Sequence, residues 1–339
     1  MRAFLDKYDT VIFDMDGVIT SEQAYWDAAA LTVYEYYGSG GHFGECDISP
    51  RWAERNVKEI RRRVFFDDKI ISLLKGKGVN SNWDLGYTVV LISLIINSEN
   101  AEEIYRYARG LSDNIIDEYD NLANLAKERT GENYEKFRRN GELWQNMQNC
   151  FQEWYLGDEE YCSAYNREPK LKGKTGLASS EEPIIDLSDI KRLICELSKT
   201  KRLCTGTGRV YREIAPTLDR WGILDYFASE GISNYDHVAA AEKEFGITLT
   251  KPHPYMFLKA MCGTDYSDSK ILAGDYDKGK IPKTLIVGDA GADILAAKAM
   301  GADFCAVLTG INGQKARGYF EELKSDYILN SVKDMMEDK

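Results

Sequence analysis

Two aspartates one residue apart, Asp14 and Asp16, follow the apolar run Val11-Ile12-Phe13 and lead at once into Gly17. A short apolar run ending in a turn signal predicts a buried strand of a parallel sheet. Side chains alternate along a strand, so Asp14 and Asp16 are expected on the same side where the strand ends. In open α/β sheets that C-terminal edge is where ligands bind. Carboxylates converging there are costly unless a cation or a shared proton relieves them. Taken alone, the stretch also reads as an Asx-rich turn. Three later elements weigh against that reading. Thr207-Gly208-Arg209 follows a strand candidate at 202–206, with Thr205-Gly206 offering the same dipeptide just before it. Lys251-Pro252 precedes a helix, and Gly288-Asp289, with Asp293 four residues on, follows a strand candidate at 284–287.

The elements that must position these residues fall into two blocks. Residues 21–177 show no strand–helix alternation. Helices are expected over 24–37, 50–66, 67–74, 83–96, 101–129 and 133–155, with Gly38 as a stop and Gly141 a weak point. The stretch 168–183, rich in Lys, Gly, Ser and Pro, reads as a linker. Beyond it the pattern alternates. Helices are expected over 186–199, 210–221, 236–245, 254–261 and 292–300, the last stopped by Gly301. Strands are expected at 202–206, 226–229, 284–287, 304–308 and 327–329. This implies a doubly wound parallel sheet. The first strand belongs with it, so an α/β core of residues 1–20 and 178–339 carries an inserted all-α domain, 21–177.

At 339 residues the chain has material for two domains. Its net charge of −12 argues against a nucleic-acid binder, though a local cluster or metal can still hold a small anion. Met1 to Asp9 offers no secretory signal. The longest apolar stretch, 87–96, is half of what a bilayer span of about 20 residues needs, and reads as a buried helix. The seven cysteines are odd in number, scattered and without a CxxC pair. That favours reduced thiols in a cytoplasmic protein over disulfides or zinc. Arg61-Arg62-Arg63 and Arg138-Arg139 are read as solvated helix faces, and the aromatics of the inserted domain as core.

The four motifs in this order, each at a strand or helix end, resemble the haloacid-dehalogenase-like (HAD) superfamily. The flanking run Trp221 to Phe227, the stretch Lys251 to Pro254 and the run Gly301 to Gly310 fit as well. The resemblance implies a Rossmann-like core, a helical cap that closes over the site, and a Mg²⁺-dependent phosphatase acting on a small phosphorylated metabolite. It implies Asp14 as the nucleophile that becomes an aspartyl phosphate, with Asp16 as the acid and base that serves the leaving oxygen and then water. Mg²⁺ would be held by Asp14, the Asp16 carbonyl and Asp289, with Asp293 as a ligand or its support. Lys251 would neutralise phosphoryl oxygens and Asp14. Thr207, preferred over Thr205 on spacing, and the Gly208 amide would bind phosphate. Gly288 would allow a tight turn beside the metal. Neither nucleic acid nor a membrane is an expected partner. A phosphomutase on the same machinery, or a binding protein that kept the fold, are the alternatives.

Overall fold

The computed structural model describes residues 2–44, 46–79 and 81–336, which divide into two compact units, Met1–Glu22 with Glu181–Lys339, and Gln23–Ser180. The first holds a six-stranded, all-parallel sheet. Its strands are β1 (Thr10–Phe13), β2 (Arg202–Gly206), β3 (Phe227–Ser233), β4 (Thr284–Gly288), β5 (Asp303–Val307) and β6 (Tyr327–Leu329), in the order β3-β2-β1-β4-β5-β6. The period-2 alternation of β1 sorts its side chains to two separate cores. Val11 and Phe13 pack with Leu203, Leu285 and helix Leu187–Ser198. Ile12 packs on the other face with Ile286, Phe304 and helices Tyr255–Cys262 and Gly291–Met300. The strand order runs outward from β1 to β2 and β3, then restarts on its other side at β4. Such a reversal leaves a crevice at the C-terminal ends of β1 and β4.

Strand β3 is longer than the 226–229 expected. Its pairing with β2 shifts between Leu203↔Phe227 and Thr205↔Ile232, a bulge that absorbs the Glu230-Gly231 interruption. Gly231 is needed there, because a Cβ would stand 2.6 Å from Cys204 Sγ.

The second unit is helical. Helix Gln23–Gly38 packs against Val57–Val64, Asn82–Ile96 and Glu142–Leu156. Helix 82–96 is buried over most of its length, as the apolar run implies, and no helix among the described residues is long and apolar enough to cross a membrane. Three long helices expected here are broken. The 50–66 stretch divides at Asn56, and 101–129 becomes Ala101–Arg109, a 3₁₀ turn and Tyr119–Thr130. The 133–155 stretch breaks at Gly141, where a Cβ would meet the Glu135 carbonyl at 2.4 Å. Amphipathic periodicity survives such breaks, so it does not reveal them. A helix at Asp158–Tyr165 was not anticipated.

The linker reading of 168–183 is corrected in its central part. Gly173 and Lys174 donate backbone N–H groups to Asp158, and Thr175 donates N–H and Oγ1 to Glu54. The Lys174 ammonium is wholly buried between Glu35 (2.9 Å) and Glu153. The arginine runs are corrected in part as well. Arg62 and Arg63 are solvated, but Arg61 is largely buried against Asp27 and Asp68, both at 2.9 Å, and Arg139 pairs with buried Asp84 at 2.8 Å. All seven cysteines are free.

Candidate active site

Asp14 is the first residue past β1, and its N–H continues the ladder by donating to the Val287 carbonyl of β4 at 2.9 Å. With Phe13 in register with Val287, Asp14 comes level with Gly288 and its neighbour Asp289. The turn that follows is closed by Gly17, whose N–H donates to the Thr20 carbonyl at 2.8 Å. Gly17 has φ +72°, and a Cβ on it would lie 2.3 Å from an Asp289 carboxylate oxygen. Gly310, in the loop after β5, presses on the same carboxylate, where a Cβ would come within 2.0 Å. The neighbouring Thr309 hydroxyl donates to the Gly17 carbonyl at 2.5 Å. Asp289 is therefore wedged between two glycines that leave its carboxylate room.

Asp293 stands in the first turn of helix Gly291–Met300, where one oxygen accepts from the Ala290 N–H at 3.2 Å. The other lies 2.7 Å from Lys251 Nζ, which is also 3.0 Å from Asp14. The capping role of Asp293 and its role in the site thus use different oxygens. Lys251 precedes a cis peptide bond to Pro252 and rests its ammonium over the Phe257 ring at 4.9 Å. Asp14, Asp289 and Asp293 each place an oxygen within 4.8 Å of the others. Gly288 serves differently from expectation. It ends β4, and its missing Cβ makes room for Asp293, whose carboxylate oxygen would be 2.6 Å away.

Burial pushes the Asp14 carboxyl up to about 7, against the pull of Lys251 and with help from the Asp293 and Asp16 charges. Asp289 is held well above the usual carboxylate range by burial, then by Asp293 and Asp14. Burial disfavours the Lys251 charge, but Asp14 and Asp293 outweigh it and keep the ammonium protonated beyond its ordinary range. Three carboxylates at close quarters, two of them paired with one ammonium, leave surplus negative charge, the condition a hard divalent cation relieves.

Asp16 lies outside this cluster. Its carboxylate accepts from the Thr20 hydroxyl at 3.1 Å and from Arg209 Nε at 3.0 and 3.1 Å. Of the two threonines, Thr205 is buried within β2, with its hydroxyl toward the Ser233 carbonyl. Thr207 is the first residue beyond the strand, and its Oγ1 accepts the Arg209 N–H at 3.2 Å. Phe13 pairs with Thr205, so register sets Thr207 alongside Met15, on the side of β1 away from β4. Gly208, next along, is exposed. Sequence reasoning missed Arg209 and Glu181 as members of this neighbourhood. Arg209 stood in a quoted motif, whereas nothing local marks Glu181.

A sequence model of the HAD-hydrolase-like family matches residues 248–335, the segment that carries Lys251, Asp289 and Asp293. No curated protein matches the sequence. Among solved structures, a Northeast Structural Genomics Consortium target is 27% identical with a TM-score of 0.79, over 96% of this chain and 97% of that one. The phosphatase Tt82 from Thermococcus thioreducens is 18% identical with a TM-score of 0.49, over 93% and 98%. A haloacid dehalogenase-like hydrolase from Streptococcus pneumoniae is 13% identical with a TM-score of 0.45, over 98% of both chains. Residues 248–335 thus match the HAD-hydrolase-like family, and a six-stranded parallel core brings Asp14 to the same sheet edge as the acidic residues of that segment.

Proposed function

We propose that this protein is a Mg²⁺-dependent phosphomonoester hydrolase acting on a small phosphorylated metabolite in the cytoplasm. The observation that carries the reading is the meeting of Asp14 with Asp289, Asp293 and one buried lysine at the ends of β1 and β4. The donor set fits Mg²⁺, being all oxygen, closely gathered and more negative than Lys251 alone can balance. Asp14, Asp289 and the Asp16 carbonyl would hold the ion, with Asp293 beside them, and it would supply positive charge to the phosphoryl oxygens.

The chain's own residues would then divide the work. An Asp14 carboxylate oxygen attacks phosphorus while the bond to the leaving oxygen breaks and that oxygen takes a proton from Asp16. Water then attacks the aspartyl phosphate, Asp16 takes its proton, and Asp14 is regenerated as phosphate departs. Thr207 and the Gly208 N–H would donate to phosphoryl oxygens, and Lys251 would neutralise charge as it builds. The division into a core of 1–20 and 178–339 and a cap domain of 21–177 belongs to the same proposal.

The test is phosphate release from a panel of metabolite and aryl phosphates, with Mg²⁺ and with chelator. Release that requires Mg²⁺ supports the reading. Isomerisation of a sugar phosphate without release would replace it with a phosphomutase, and no turnover of any kind would leave a binding protein. Lys251→Met is expected to lower kcat by about 10²–10³-fold, as loss of one preorganised donor does. Steady-state kinetics at saturating Mg²⁺ would check this, and an unchanged kcat would remove Lys251 from the chemistry.

A further inference from the structure

Arg209 is almost fully buried, with 4% of its surface exposed, and it stands outside the carboxylate cluster. Its backbone is tied on both sides, the N–H to Thr207 Oγ1 at 3.2 Å and the carbonyl to the Tyr235 N–H at 2.8 Å. The guanidinium faces two carboxylates. Nε lies 3.0 and 3.1 Å from the two Asp16 oxygens, and Nη2 makes a further ion pair with Asp16. Nη1 pairs with Glu181, whose side chain is wholly buried and whose second oxygen accepts from the Thr217 hydroxyl at 2.6 Å. Thr217, Glu181, Arg209 and Asp16 therefore form one chain running outward from the protein interior to the edge of the sheet.

Each link has a physical purpose. A planar guanidinium with a fixed fork of donors sets both the position and the plane of a carboxylate, which a lysine cannot do. Burial keeps water from competing, and the anionic anchor satisfies the face of the guanidinium that Asp16 leaves. The guanidinium nitrogens of Arg209 are engaged by Asp16 and Glu181, so its action on a substrate runs through Asp16. Asp16 keeps 28% of its side chain exposed, so it alone of the four carries the arrangement to solvent.

We infer that Arg209, anchored by Glu181, is the positioning residue that holds the Asp16 carboxylate where proton transfer to and from the leaving oxygen and water takes place. The inference rests on the phosphatase reading above and deepens it. It separates two parts of one short motif: Thr207 and Gly208 serve the phosphoryl group, and Arg209 serves the acid and base.

Arg209→Lys keeps the charge and removes the fork, and Glu181→Gln loosens the anchor without touching Asp16. A displacement of about 1 Å in a proton-transfer group lowers rates by about 10²-fold. Arg209→Lys is therefore expected to lower kcat/KM for an alkyl phosphate, whose leaving oxygen needs a proton, by roughly 10–100-fold. With p-nitrophenyl phosphate, whose leaving group needs none, kcat/KM should stay within about twofold. Mg²⁺ affinity, read from the Mg²⁺-dependent rise in melting temperature, should be unchanged. In an Asp16→Asn background Arg209→Lys should have no further effect on the alkyl substrate, because the group it places is gone. Glu181→Gln should show the same substrate-dependent loss, smaller in size, and it serves as the test if Arg209→Lys does not fold. Equal losses with both leaving groups, or a full loss added to Asp16→Asn, would overturn the inference and leave the phosphatase reading intact. Absence of any Mg²⁺-dependent release by the wild type would overturn the reading itself.

Discussion

An Asp14→Asn protein is expected to release phosphate at least about a thousandfold more slowly than the wild type at saturating Mg²⁺. The amide matches the carboxylate in shape, so the ladder bond to Val287 and the packing around residue 14 survive. What disappears is the anionic oxygen that attacks phosphorus. The charge it contributes to the cluster disappears as well, which is why Mg²⁺ must be saturating. A pH profile gives an independent check. Burial raises Asp14 to about 7, so it is mostly protonated, and unreactive, in acid. Mg²⁺ favours the charged carboxylate and should move the acid limb of kcat/KM to lower pH as its concentration rises. Equal rates in wild type and Asp14→Asn would remove Asp14 from the chemistry, and an acid limb indifferent to Mg²⁺ would separate Asp14 from the ion.

The second large effect is expected in the helical unit. Lys174 sits wholly buried between Glu35 and Glu153, its ammonium 4.8 Å from the centroid of the Trp154 ring. Lys174→Met would leave two carboxylates without their counter-charge and should destabilise the unit by about 3–5 kcal/mol. Calorimetry should show a fall in its melting temperature of roughly 10 °C. Replacing Glu35 and Glu153 by leucine in the same variant should recover much of the loss, since no charge is then left buried. The pH dependence has a definite sign. Burial raises the folded-state pKa of Glu35 above its ordinary value, with Lys174 opposing. Without Lys174 it rises further. A carboxyl with its folded pKa raised supports the fold below its unfolded pKa and loses that support as pH climbs through the folded one. The deficit of Lys174→Met should therefore be smallest near pH 4 and grow toward neutral pH. A melting temperature within a degree or two of wild type would show that the buried triad does not hold the 170–177 segment in place.

That segment shows where reading the chain stops working. Its Lys and Gly content suits a linker, and composition says nothing of a distant partner. Glu54, Asp158, Glu35 and Glu153 hold it, and each comes from a different helix or helix start. Gly157 and Gly176 let the two stretches touch, since a Cβ on Gly176 would stand 2.4 Å from the Leu156 carbonyl. Periodicity likewise hid the helix break at Asn56, because the hydrophobic pattern continues across it, whereas Gly141 marked its own break.

By itself the sequence determined the strand positions, the parallel sheet, and the acidic and basic residues at strand ends. Each of those signals is local: an apolar run, a turn residue, an acid at a fixed spacing. Only the tertiary structure decided which of those charges meet. It gathered Asp14, Asp289 and Asp293 at one edge, tied Asp14 to Asp293 through Lys251, drew Asp16 away to Arg209, and gave Arg209 its anchor in Glu181. The physical reason is that a buried charge is tolerated only beside its complement, and complements are set by strand order and register, which bring together residues far apart in the chain.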